Sequence, residues 1–209
     1  MGSLKLVTAA LANPVSLAEA KLFLRIDTSV EDMLVDNLIT ASTLTVERYT
    51  NRKLMTQTWD YFLDGFPSRS KSQWWDGTRD GKISEMFSVL SFISIPLYPL
   101  QSVTYLKTYD LDGTAVTMSA SEHYVDTASE PSRLGLIANA NWPTTFLRSI
   151  NGVQIRAIAG YGSSINVPRP LKQAILDIAA GMYECRGEAE AQISKMAMAL
   201  MAPYRVTRI

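Results

Sequence analysis

Histidine and cysteine are almost missing from this chain: its 209 residues contain one of each, His123 and Cys185. A single thiol forms no intramolecular disulfide, which suits folding in a reducing compartment. Zinc sites need several nitrogen or sulfur ligands at short spacing, and these two residues stand far apart, so no metal is expected. A Ser–His–Asp triad would have to use His123 by default, no Gly-x-Ser-x-Gly elbow is present, and Cys185 has no base nearby in sequence. Excess charge is missing too. Lys plus Arg and Asp plus Glu both number 20, a formal net charge of zero, whereas proteins that coat nucleic acid carry a basic excess. Long apolar runs are lacking. The stretch Phe87–Leu100 is broken by Ser91, Ser94, Pro96 and Pro99, short of the roughly 18 residues that argue for a membrane span. Met1–Val15 has one lysine and no sustained apolar run, so it does not read as a signal peptide. No repeat is visible.

Phosphate and calcium motifs fail on detail. Ala159-Gly160-Tyr161-Gly162 lacks the full G-x-G-x-x-G, and prolines follow at a helix entrance, so it reads as a strand-to-helix linker. Asp110-Leu111-Asp112-Gly113 starts like a calcium loop, but Ser121 stands where the closing glutamate is required, leaving a hairpin turn. No cofactor is expected. Twenty acids permit a hydrolytic carboxylate pair by counting, yet nothing singles out two of them.

What is present is a foldable alternation of helix and strand signals. Hydrophobic residues make up 47% of the chain, enough for a sizeable core. Ser16-Leu17-Ala18-Glu19 has the capping-box form and opens a helix with an apolar face of Leu17, Ala20, Phe23 and Leu24, ending near Arg25–Asp27. A second helix follows Ser29 and runs to about Tyr49, with Leu34, Val35, Leu38, Ile39, Ala41, Val46 and Tyr49 inward and Glu47 on the other side. The short turn between them predicts a helical hairpin. Strands are expected at Met55–Leu63, Phe87–Ile95, Val103–Tyr109, Ala115–Met118, Tyr124–Val125, Leu134–Ile137 and Val153–Ala159. A last helix opens at Pro168–Pro170, carries the stripe Leu171, Ala174, Ile175, Ile178, Ala179, Met182 and Tyr183, and stops by Gly187. The class is α+β. N- and C-terminal helices form a small antiparallel bundle around a β-rich insertion, divided as 1–53 (helical hairpin), 54–162 (insertion), 163–190 (bundle-completing helix) and 191–209 (C-terminal tail).

Two segments look made for contact. Trp74 and Trp75 sit on the long polar loop Pro67–Gly81, where they either meet a partner or fold back over the sheet. Met196 to Ala202 is Met-rich and unbroken by polar groups. Either it extends the bundle of its own subunit or a partner buries it; the exposed-patch argument favours the partner, with Arg205 and Arg208 at the rim.

The order of these segments resembles the head–tail connector (adaptor) proteins of long-tailed double-stranded DNA phages, prophages and gene transfer agents. The likeness runs through Pro14–Lys21, Leu24–Asp27, Glu31-Asp32, Glu47–Arg52, Gln57-Thr58-Trp59, Ile155–Gly162, the Pro168–Pro170 helix and Leu200–Arg205. Each motif is short; their order is the specific part. The resemblance implies a structural virion protein and no enzyme. Its subunits would form a ring, usually twelve-fold, beneath the portal protein, with DNA passing through the lumen and a surface offered to a stopper or tail-completion protein. The host cytoplasm would be its place of synthesis. The tail would then reach the portal through Met196, Met198, Leu200, Met201, Pro203, Tyr204 and Arg205. The alternative is another virion module, such as a tail or receptor-contact protein using Trp74 and Trp75.

Overall fold

The computed structural model describes residues 2–66, 92–138, 140–143, 146–185 and 193–206. They form a mixed α+β structure with antiparallel strand pairings. The chain divides into two compact units: Met1–Thr8 with Thr58–Ile158, and Ala9–Gln57 with Ala159–Ile209.

The second unit is helical. Helix α1 (Leu17–Leu24) opens on the expected capping box: the Glu19 N–H donates to Ser16 Oγ (3.2 Å) and the Ser16 N–H to Glu19 Oε2 (2.8 Å). Left-handed Arg25 (φ 58°) ends it. Helix α2 (Asp32–Thr50) ends the same way at Asn51 (φ 56°). Helix α3 (Arg169–Glu184) starts behind Pro168 with Pro170 in its first turn, and α4 (Lys195–Met201) starts at Ser194 and runs into a 3-10 turn, Ala202–Tyr204. α3 packs against both α2 and α4. The core joins Val35, Ile39 and Val46 of α2, the Leu171–Ile178 stripe of α3, and Ala197 and Met201 of α4.

The inward side of α2 is more polar than its aliphatic pattern suggests. Ser42, Thr43, Glu47 and Thr50 are buried, while Leu34 is 37% exposed. Thr43 and Thr50 donate their hydroxyls to the Ile39 and Val46 carbonyls of the same helix (2.8 and 2.7 Å), so burial leaves no hydroxyl unsatisfied. Glu47, expected on the outer side, is only 5% exposed. Its Oε1 accepts the Leu54 N–H and the Gln57 Nε2–H, each at 2.9 Å, and Lys53 Nζ lies 3.6 Å from Oε2. The chain reverses after Asn51, and the Leu54 N–H takes its acceptor from a side chain.

The first unit is β-rich. One sheet has the order β1-β2-β8-β4-β5, with β1 Gly2–Thr8, β2 Gln57–Leu63, β4 Leu100–Tyr109, β5 Ala115–Thr117 and β8 Val153–Ala159; the other has the order β3-β7-β6, with β3 Ile93–Ile95, β6 His123–Asp126 and β7 Ser132–Leu136. Alternation places Val153, Ile155 and Ala157 of β8 and Leu106 of β4 in the interior, joined by Ile93, Ile95 and Leu134. Asp110 closes the β4–β5 hairpin by accepting the N–H groups of Asp112 and Thr114, with Gly113 at φ 83°. Strand β1 has no counterpart in the sequence reading. It pairs antiparallel with β2, Lys5 opposite Asp60, and is exposed along almost its whole length.

The linker after β8 is fixed by glycine. Gly160 has φ 125°, and a Cβ there would lie 2.1 Å from the Met55 carbonyl oxygen. Tyr161 N–H donates to Leu54 O and Thr56 N–H to Gly162 O (3.1 and 3.3 Å), so backbone meets backbone where a side chain has no room.

Candidate docking surface of the helical unit

Among the described residues, no group of three or more His, Cys, Asp or Glu residues is placed to hold an ion, and no helix is long and apolar enough to cross a membrane. His123 is a half-buried sheet residue whose Nδ1 lies 3.0 Å from the Ser119 carbonyl oxygen. Cys185 caps α3, partly exposed.

A dense polar network lies on the larger sheet. Asp60 binds Arg156 through two hydrogen bonds of 2.8 Å and accepts a third from Gln154 Nε2 (2.8 Å); Tyr109 donates to Gln154 Oε1 (2.5 Å). Lys107 and Arg156 lie over the Tyr105 ring and Arg148 over Tyr109. The Arg156 guanidinium, with Gln154 and the charge of Lys5 behind it, holds the Asp60 carboxyl below the usual aspartate range. Glu19, Asp64 and Asp126 are also shifted downward, Asp126 chiefly by the Ser129 hydroxyl and Arg133. A glycosidase pair needs one carboxyl pushed up to act as acid. None of these four shows the upward shift such an acid has.

That leaves the C-terminal segment. α4 divides its residues by side: Ala197 and Met201, four apart, are fully buried, whereas Met196 is 59% and Met198 40% exposed. Leu200 and Tyr204 are partly buried against the same core. Four ties hold the segment to its own unit. Ser194 caps α4 by accepting the Ala197 N–H (2.9 Å) and donates its hydroxyl to Asp177 of α3. Arg52 Nε donates to the Tyr204 carbonyl (2.7 Å), the Val206 N–H to Thr50 O (3.0 Å), and the Arg205 guanidinium lies over the Tyr49 ring.

The residues singled out in sequence therefore separate. Met196, Met198, Pro203 and Arg205 are each exposed; Met201 belongs to the core, and Leu200 and Tyr204 lie at its margin. Thr50 and Arg52 stand in the Glu47–Arg52 motif, but their anchoring of the segment was not legible, because a hydrogen bond to or from the backbone leaves no pattern in the sequence. Trp74 and Trp75 lie outside the described residues.

Residues 14–75 match the family described as phage gp6-like head-tail connector protein, beginning at the Pro14 where the sequence likeness begins and spanning α1, α2 and β2. Among solved structures, a chain in the neck of a native GTA particle computed with C12 symmetry aligns with a TM-score of 0.70 at 23% identity, covering 99% of this chain and 97% of that one. The neck of an empty GTA particle computed with C6 symmetry gives the same values. A chain of the virion of a native gene transfer agent particle aligns at 0.72 and 23%, covering 99% and 96%. At this identity the likeness speaks for the fold. No curated protein matches the chain.

Proposed function

We propose that this chain is a head–tail connector subunit, a structural virion protein of a tailed phage or of a gene-transfer-agent particle. The observation that carries the reading is a fold likeness to neck chains over 99% of this chain. The connector family's match to residues 14–75 and the succession of motifs from Pro14 to Arg205 support it. In this reading α1 to α3 form a small antiparallel bundle with the β-rich unit inserted between α2 and α3. The protein is made in the host cytoplasm and works at the head–tail interface as a ring of twelve copies beneath the portal. DNA passes through its lumen, and the ring offers a surface to a stopper or tail-completion protein.

Physical requirements agree with the composition. A ring built head to tail needs two different faces on each subunit, and zero formal net charge lets like subunits approach without long-range repulsion. A passage for DNA works best without tight phosphate binding, consistent with the absence of a basic excess. The reading assigns no catalysis. Portal contact falls to the C-terminal segment, Met196, Met198, Leu200, Met201, Pro203, Tyr204 and Arg205, whose exposed members are the two methionines, Pro203 and Arg205.

The test is to mix the full-length protein with portal rings of the same particle and measure the mass of the product. A complex with one subunit per portal subunit supports the connector role. Portal rings that stay bare at micromolar protein overturn it.

A further inference from the structure

Helix α2 has an apolar side that the helical core does not use. At about 100° per residue, Met33, Leu34, Asn37, Ala41, Leu44 and Arg48 fall within an arc of about 100° opposite the buried Val35, Ile39 and Val46. All six are exposed, Met33 by 81% and Leu44 by 51%. From Leu34 to Arg48 the steps alternate between three and four residues, the spacing of a helix side that packs against a partner. Solvent-facing helix sides ordinarily carry charge. This one has no acid, and its single cation, Arg48, stands at the C-terminal end. Asp36 is exposed but falls about 60° beyond the edge of the arc.

The β-rich unit has an exposed apolar corner. Asp110 and Leu147 form an antiparallel bridge, which brings Leu111 and Phe146, the next residue along on each side, to one place; they are 68% and 84% exposed. Asp112 follows Leu111 and is exposed as well. Neither Asp112 nor Arg48 has an ion-pair partner among the described residues.

We propose that these two faces meet between copies: the outer side of α2 in one copy packs on the Leu111–Phe146 corner of the next, with Arg48 opposite Asp112. The proposal rests on the ring reading above and assigns its copy-to-copy contact. A head-to-tail ring needs two unlike faces that fit each other, and this pair sets apolar against apolar and cation against anion. Two α2 sides facing each other would leave Arg48 without an acid, and two corners would leave Asp112 without a cation. Each face is modest in size, so a single contact is weak and ring closure reinforces it.

Cross-linking between marked copies tests it. In a Cys185→Ser background, Ala41→Cys and Thr114→Cys are made as separate proteins. Ala41 lies in the middle of the α2 side, and Thr114 is exposed in the same hairpin as Asp112. The two are mixed in concentrated solution with a short thiol-bridging reagent, and the dimers are sorted by mass. The native mass of unreacted original protein is measured in parallel. Mixed dimers should exceed either like-with-like dimer about fivefold, and protein carrying both substitutions should give a ladder beyond the dimer. Adding Arg48→Asp to the first protein, or Asp112→Arg to the second, should cut the mixed dimer about threefold, the scale of one exposed ion pair. Combining the two reversals should restore it, which a merely structural effect of either substitution would not do. Mixed dimers no commoner than random pairing gives would overturn the proposal, as would charge reversals without rescue in proteins folded by circular dichroism. If rings are still seen by native mass, the ring reading stands and only this contact falls. Neither rings nor mixed dimers would remove both.

Discussion

Replacing Glu47 by alanine and by glutamine separates what its carboxylate does in the helical unit. The side chain is 5% exposed, and its Oε1 is the acceptor for the Leu54 N–H and the Gln57 amide, both at 2.9 Å. Alanine removes both acceptor interactions. Leaving a buried backbone donor without its acceptor costs about 1–3 kcal/mol. Adding the weaker Gln57 contact gives an expected loss of about 3 kcal/mol for Glu47→Ala. Glutamine keeps an acceptor oxygen in the same place and forgoes only the charge facing Lys53, 3.6 Å away and 24% exposed. Such a pair contributes roughly 0–1 kcal/mol, so Glu47→Gln should cost about 1 kcal/mol or less. The assay is urea unfolding followed at 222 nm, where the helices dominate; with two compact units the transition is fitted without assuming one step. Equal losses for the two variants would place the stabilisation in charge and refute the acceptor argument. A Glu47→Ala loss under about 1 kcal/mol would refute the clamp altogether.

Asp60 sets a pH dependence in the β-rich unit. Its pKa is lowered in the folded protein, first by Arg156, so its contribution is present above the unfolded value near 4 and fades as pH falls through the folded value. Asp60→Asn should lower the melting temperature at neutral pH and flatten its decline below about pH 4; a decline as steep as the wild type's would exclude Asp60 as its source. Gly160→Ala and Gly113→Ala make a matched pair. Both backbones are left-handed, but only Gly160 has an atom in the way, the Met55 oxygen at 2.1 Å, while Gly113 faces open space. Losses of about 3 and about 1 kcal/mol are expected in denaturant titration, and similar losses would show that the close approach is relieved by a small backbone shift.

The legible parts of this fold were those with local grammar. The Ser16/Glu19 box, the Pro168–Pro170 start, the Asp112-Gly113 turn and the period-two run Val153–Ala159 each specify their element within a few residues, and each appears where it was read. The stripe on α3 was legible because its inward residues are aliphatic. On α2 the same reasoning put Glu47 outside, because burial there is decided by the Leu54 N–H seven residues on, a partner that no periodicity announces. Strand β1 escaped for a related reason: Gly2–Thr8 buries little of its own surface, and its pairing with β2 spans more than fifty residues of sequence. In the C-terminal segment the apolar run was plain, yet its division into a buried Met201 and an exposed Met198 depends on which side meets α3.

The split of each unit between distant parts of the chain has a consequence on the ribosome. α2 ends at Thr50 and its packing partner α3 begins at Arg169, so roughly 120 residues must be synthesised before the helical core can close. At ~5–20 residues per second, Val35, Ile39 and Val46 wait roughly 6–24 s for their α3 partners on every nascent chain. β1 likewise waits for β2 to emerge before its backbone groups find partners. Yield in a heterologous host should therefore respond to slower elongation and to chaperones that shield nascent helices, even when the finished protein is stable.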